Sequence, residues 1–221
     1  MKKILTGLVA AMALTTTVQA AEFSATITAT SDYRFRGISQ TMSDPALQGS
    51  IDVAFENGAY IGAWATNVDF DDDADSEIDY YAGYYNDIND DMAYDIMLAY
   101  YTYQGYSSAD DSDYLELMGS LYYGDITLGY AYANDYINSG DDYSYISADY
   151  SYGLSEEVSL DLHAGHSFGD AADSYEDYSV GLSTSFEMLD VSVAYLFNDI
   201  DGPTTDNLDD NTVVLSISTT F

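Results

Sequence analysis

The chain has 221 residues and a formal net charge of −35, with 39 aspartates and glutamates against four lysines and arginines. Phosphate binding needs a basic footprint, so nucleic acid is excluded as a partner. The absence of cysteine removes disulfide scaffolds and thiolate chemistry, and 24 tyrosines with eight phenylalanines do not fit a disordered acidic polymer.

Residues 1–20, MKKILTGLVAAMALTTTVQA, join two lysines to an apolar run from Ile4 to Leu14 and end in Val18-Gln19-Ala20. This is the pattern of a cleaved signal peptide; the run falls well short of the ~20 residues a spanning helix needs. Residues 21–221 are then a single exported domain carrying 2 − 39 = −37, with Arg34 and Arg36 as its two cations. No later apolar run approaches spanning length, so membrane insertion would have to be by strands.

From Ala21 onward, apolar or aromatic residues alternate with small or polar ones, the period of two that marks a strand with one apolar face. The first strand is predicted to place Phe23, Ala25, Ile27, Ala29, Tyr33 and Phe35 toward lipid and Thr26, Thr28, Thr30, Asp32, Arg34 and Arg36 on the other face. The second carries Leu47, Ile51, Val53 and Phe55, after which Glu56-Asn57-Gly58 makes a tight hairpin turn. The third carries Tyr60, Trp64, Val68 and Phe70, and the fourth Ile78, Tyr80, Ala82 and Tyr84. Eight further segments repeat the pattern, the twelfth ending with Val213, Leu215, Ile217 and Phe221.

The links between strands are asymmetric. Those after even-numbered strands are mostly tight, as at 56–58, 123–125 and 187–188, whereas those after odd-numbered strands are longer and mostly acidic, at 36–44, 69–76, 104–113, 136–142, 169–177 and 198–210. Long loops at one end, short turns at the other, an even strand count and strands near the ~9–11 residues that cross a bilayer describe an outer-membrane barrel. A soluble β-sandwich would also alternate, but closure removes the long edges such a sheet leaves open. The predicted fold is an all-β, antiparallel, up-and-down transmembrane barrel of about twelve strands in the bacterial outer membrane.

The segments SDYRFRGISQT at 31–41, PALQGSID at 45–52, Ala-Tyr-Ile-Gly-Ala-Trp at 59–64 and Glu-Ile-Asp-Tyr-Tyr-Ala-Gly-Tyr at 77–84 resemble the TorF-like porin family of proteobacteria, formerly of unknown function. The clearest similarity covers residues 22–85. The resemblance implies an outer-membrane β-barrel with a pore, and brings no catalytic residue and no substrate.

If the apolar stripe faces lipid, Asp52, Asp79, Asp95, Glu116, Asp149 and Asp161 fall on the opposite face with Arg34 and Arg36 and line a lumen. Arginines on one wall and carboxylates on the other would set a transverse field that orients small polar solutes and favours cations. The alternative is a closed interior in which the arginines are paired struts and the barrel serves a structural or surface-binding role. Tyr81, Tyr85, Tyr101, Tyr114 and Tyr145 are predicted inward, where they either narrow or plug the lumen.

Asp71, Asp73 and Asp75 alternate oxygens as a hard cation prefers, but Ser76 and Ala82 stand where an EF-hand has Gly and Glu. A solvated, repulsive loop is expected, with loose divalent-cation binding as the alternative. Asp161, His163 and Ser167 share the inward face while His166 points to lipid; lipase chemistry belongs at the lipid-facing rim, so no catalytic residue and no cofactor is expected. The expected partners are outer-membrane lipid and small solutes.

Overall fold

The computed structural model describes residues 21–106, 112–200 and 208–221. The predicted signal peptide and parts of the third and sixth long loops lie outside the described residues. The strands are β1 (Ala21–Thr30), β2 (Arg34–Phe35), β3 (Ile38–Ser39), β4 (Ala46–Phe55), β5 (Ala59–Asn67), β6 (Ser76–Asn89), β7 (Met92–Gln104), β8 (Tyr114–Tyr123), β9 (Ile126–Ala133), β10 (Tyr143–Gly153), β11 (Val158–Gly169), β12 (Tyr175–Phe186), β13 (Leu189–Asn198) and β14 (Thr212–Thr220). One 3-10 turn, Tyr136–Asn138, interrupts the β9–β10 loop.

Twelve of these strands, β1 and β4 to β14, form a closed antiparallel barrel in which each pairs with its sequence neighbour and β1 pairs with both β14 and β4. Lipid offers no hydrogen bonds to a free peptide group, so every spanning strand must find two neighbours. The seam meets this demand: Thr26 to Thr30 run opposite Thr220 to Ser216, and Phe221 exchanges backbone hydrogen bonds of 2.9 and 3.1 Å with Ala25.

Register fixes the two faces. Leu47, Ile51, Ile61, Ile96, Leu98, Leu117, Leu128, Leu162, Leu182, Val193, Leu215 and Ile217 are exposed on the outside and form the apolar band. Phe55, Tyr84, Tyr123, Tyr152, Phe186 and Phe221 border it at the short-turn end, and Tyr100, Tyr132 and Phe197 at the long-loop end. Amphipathic rings at both margins match the two interfaces of a bilayer.

The inward face is uneven. Around β9 to β14 and β1 it is built mainly of small or hydroxylated residues such as Thr127, Gly129, Ser147, Ser179, Gly181, Ser192 and Ser216. On β5 to β8 it carries Tyr60, Trp64, Tyr81, Tyr101 and Tyr114. Glycine makes room for these rings: a Cβ on Gly83 would stand 2.3 Å from Tyr60, and one on Gly62 would stand 2.4 Å from Tyr81. The tyrosines therefore lie flat against the wall.

Two predictions about the first quarter of the chain require correction. β1 ends at Thr30, so Arg34 and Arg36 are not on its inward face, and Tyr33 and Phe35 do not turn to lipid. Phe35 instead packs against the buried cluster of Ala99, Tyr101, Tyr114 and Ala133, and Tyr33 stands edge-on to Trp64 with centroids 5.4 Å apart. Trp64 is on the inward face of β5, opposite Ser50 and Asp79. β5 stops at Asn67, leaving Val68 buried in the following loop and Phe70 edge-on to Tyr103 at 5.9 Å.

Candidate functional site

Residues 31–45 form a loop that folds into the long-loop end of the barrel. Its core is the minimal hairpin β2–β3, in which Arg34 pairs with Ser39 and Phe35 with Ile38. The two residues at its tip, Arg36 and Gly37, both have positive φ, 50° and 83°, as a type I′ turn demands. Glycine adopts that conformation freely, but an L-residue pays about 1–2 kcal/mol for it, so Arg36 must be held by something else.

That hold is Glu116 on β8. Arg36 Nη2 donates to both carboxylate oxygens at 2.8 and 2.7 Å, and the two side chains are only 6% and 0% exposed. Burial disfavours the guanidinium charge, but the Glu116 carboxylate more than offsets this and holds the Arg36 pKa above its ordinary value. The cation also lies over the rings of Phe35, Tyr145 and Tyr143, at 4.5, 4.7 and 5.2 Å, and Tyr175 donates from its hydroxyl to the Arg36 carbonyl at 3.0 Å.

Arg34 has a different role. Its Nε donates to Asp32 at 2.5 Å, and its Nη1 donates to the carbonyls of Gly37 and Leu208 at 3.2 and 2.7 Å. Ser39 Oγ donates to the same Asp32 carboxylate at 2.7 Å. Arg34 thus braces the loop from within, and Arg36 anchors it to the opposite wall.

A belt of tyrosines continues from that anchor. Tyr101 stacks on Tyr114 with centroids 4.6 Å apart, Tyr114 meets Tyr136 edge-on at 4.9 Å, and Tyr136 stacks on Tyr143 at 4.2 Å. Together with the loop this belt narrows the outer half of the lumen. Below it lies a cavity of about 510 Å³ whose roof includes Arg34, Phe35, Arg36 and Gly37 and whose walls include Tyr145, Asp149, His163, Asp177 and Ser179. His163 bridges the walls: its Nδ1 is 2.7 Å from Asp149, and its Nε2 is 3.0 Å from Asp177 and 2.9 Å from the Tyr145 hydroxyl.

Register puts Asp52, Asp79, Asp95, Glu116, Asp149 and Asp161 all on the inward face. Most are tied down. Tyr81 donates to Asp52, Tyr60 donates to both oxygens of Asp95 at 2.9 and 2.7 Å, and Ser151 and Ser183 each donate to Asp161 at 2.6 Å. Asp79 is not joined to either arginine, and its Oδ1 is buried without a hydrogen-bond partner. It sits beside buried Glu77, two residues away on β6.

Sequence reasoning missed Glu77, Tyr136, Asp177 and the inward turn of Phe35. The available signal was Arg36-Gly37 between two short extended dipeptides, a hairpin tip. Among the described residues, no group of three or more His, Asp or Glu side chains is placed to hold a metal ion. Asp71, Asp73 and Asp75 are exposed, and neighbouring Asp69 and Asp72 instead accept backbone N–H bonds from Asp71 and Ala74 at 3.0 and 2.8 Å. Ser167 takes a 2.5 Å hydrogen bond from Tyr143, and His166, on the outer face, lies 3.2 Å from Glu176.

The chain belongs to the family described as bacterial protein of unknown function (Gcw_chp), whose model matches residues 15–221. No curated protein sequence matches it. Among solved structures it is similar to a KdgM porin, at 10% identity and a TM-score of 0.56 over 90% of this chain and 98% of that one. It is also similar to a NanC porin, at 10% identity and a TM-score of 0.58 over 89% and 98%. A KdgM porin in complex with disordered oligogalacturonate matches at 9% identity and a TM-score of 0.55 over 90% and 98%. At these identities the likeness is one of fold: a closed, twelve-stranded antiparallel barrel.

Proposed function

Taking membership of that family as the premise, we propose that the protein is a narrow outer-membrane porin of the TorF-like kind that passes small polar solutes or ions and prefers cations. The observation that carries this reading is the inward-folded loop 31–45, which narrows the lumen above a cavity of about 510 Å³ rather than filling the whole barrel. Below the loop, the small residues of β9 to β14 leave space that side chains would otherwise occupy.

Cation preference follows from the balance of inward charge. Asp52, Glu77, Asp79, Asp95, Glu116, Asp149, Asp161 and Asp177 face Arg34 and Arg36, both of which are already paired with carboxylates. A low-dielectric wall focuses the surplus field along the lumen axis. The KdgM neighbour is in complex with disordered oligogalacturonate, a polyanion that this lumen would repel. The loops are equally acidic, and loose divalent-cation binding there, at Asp71, Asp73 and Asp75 among others, is part of the proposal.

A second reading is a closed barrel with a structural or surface-binding role. It is favoured by the fully buried Glu116 and by the unbroken tyrosine belt at the same level. Single-channel recording of refolded protein separates the two: discrete ohmic steps support the porin, and a silent barrel supports the closed interior.

A further inference from the structure

His163, midway along β11, is one of two histidines in the chain. Its ring ties three strands together. Asp149 stands directly opposite it on β10, and Asp177 lies on the diagonal of β12, two residues before the opposing Ser179, a separation that an aromatic side chain can span. Nδ1 is 2.7 Å from Asp149 Oδ1, and Nε2 is 3.0 Å from Asp177 Oδ1. An ionised carboxylate only accepts, and a neutral imidazole carries a single N–H. A carboxylate at each nitrogen therefore requires both to donate, which makes the ring an imidazolium. The Tyr145 hydroxyl fits this arrangement, donating to Asp177 Oδ1 at 3.2 Å with its oxygen 2.9 Å from Nε2.

The bridge is open to the lumen rather than sealed in the wall. The His163 and Asp149 side chains are 25% and 46% exposed, against 5% for Asp177. Gly129, Ser147 and Ser179 beside them are small and uncharged, so the field of the bridge reaches the solute path. The charged or titratable groups facing it from the surrounding elements are held elsewhere. Tyr143 on β10 donates to Ser167, and Asp161 on β11 accepts from Ser151 and Ser183. Tyr175 on β12 donates to the Arg36 carbonyl, and Arg36, 4.7 Å from the Tyr145 ring centroid, is paired with Glu116.

We propose that His163 sets the ion selectivity of the lumen: as an imidazolium it cancels one of the two carboxylate charges it bridges, and on losing its proton it releases both to permeating cations. The proposal deepens the porin reading and rests on it for the current. The three side chains together carry one negative charge with the proton and two without it, so preference for cations rises with pH. The change belongs to one residue, because His166, the other histidine, is on the outer face beside Glu176. A strut with only a structural role would affect stability and leave the pH profile of selectivity alone.

The test is the reversal potential of refolded protein under a potassium chloride gradient, taken from about pH 6 to about pH 10 to cover histidine titration beside carboxylates. It is paired with nitrogen-15 NMR of histidine-labelled His166→Gln protein in micelles, where His163 is the single signal. Wild type and His166→Gln should both gain roughly two- to fourfold in cation-to-anion permeability ratio as pH rises, as for one unit charge about 5–10 Å from a permeating ion in water. His163→Gln should hold the high ratio throughout, and His163→Lys, which keeps its charge over most of this range, the low one. Both ring nitrogens of His163 should be protonated at neutral pH. A neutral ring at that pH, or the same pH step in a folded His163→Gln barrel, would overturn the selectivity role. A conducting barrel with a flat wild-type profile overturns that role alone, whereas a bilayer silent at every pH overturns the porin reading and the role together.

Discussion

Replacing Glu116 by Gln tests whether one ion pair holds the constriction in place. The substitution preserves shape and removes the charge facing Arg36, both side chains being nearly or fully buried at 6% and 0% exposure. Removing one member of a buried pair typically costs about 3–5 kcal/mol, because the survivor is left without compensation. Arg36 also sits at a φ of 50°, a left-handed conformation that relaxes on undocking and returns about 1–2 kcal/mol. Cation–π contacts to three rings remain, at about 0.5–2 kcal/mol each, so the loop is weakened rather than released outright. A shift of about 3 kcal/mol changes the docked-to-undocked ratio by about two orders of magnitude. Single-channel recording is the assay: Glu116→Gln should show larger or noisier openings than wild type, while the barrel still resists unfolding in lipid. Unchanged conductance together with unchanged noise would refute the idea that this pair sets the constriction.

Other perturbations probe the wall and the faces. Gly83→Ala drives a Cβ to 2.3 Å from Tyr60 and should destabilise the barrel by about 1–3 kcal/mol, read as a lower urea midpoint in lipid vesicles. Leu117→Arg places a charge on the lipid face and should cost about 2–4 kcal/mol if it lies near the midplane, whereas Met118→Arg, one residue on and facing the lumen, should cost much less and shift ion selectivity instead; equal losses in the two would contradict the assigned faces. Asp95→Asn neutralises a lumen carboxylate held by Tyr60 and should lower the cation-to-anion permeability ratio, measured as a smaller reversal potential across a salt gradient. Tyr136→Ala removes the ring between Tyr114 and Tyr143, and an increase in single-channel conductance is expected.

The barrel was legible because its physics is periodic. A wall with lipid on one side and polar lumen on the other repeats every two residues, and parity alone put Asp52, Asp95, Glu116, Asp149 and Asp161 inside. What parity could not read was where a strand stops. The alternation of Tyr33, Arg34, Phe35 and Arg36 continues that of β1 without a break, yet Arg36-Gly37 turns the chain back inward. Trp64 is hard to read for a related reason: a large apolar ring in an alternating strand reads as lipid-facing, whereas the inward-folded loop supplies it with Tyr33 as an apolar partner. Glu77 and Asp177 were missed because both lie at strand starts next to acidic loops, where a solvated carboxylate is the ordinary expectation.

The porin reading meets its most direct test in the reversal potential of refolded wild-type protein in a planar bilayer under a potassium chloride gradient. Ohmic current that reverses on the cation side is the expected result. A silent bilayer, or a reversal on the anion side, would contradict it.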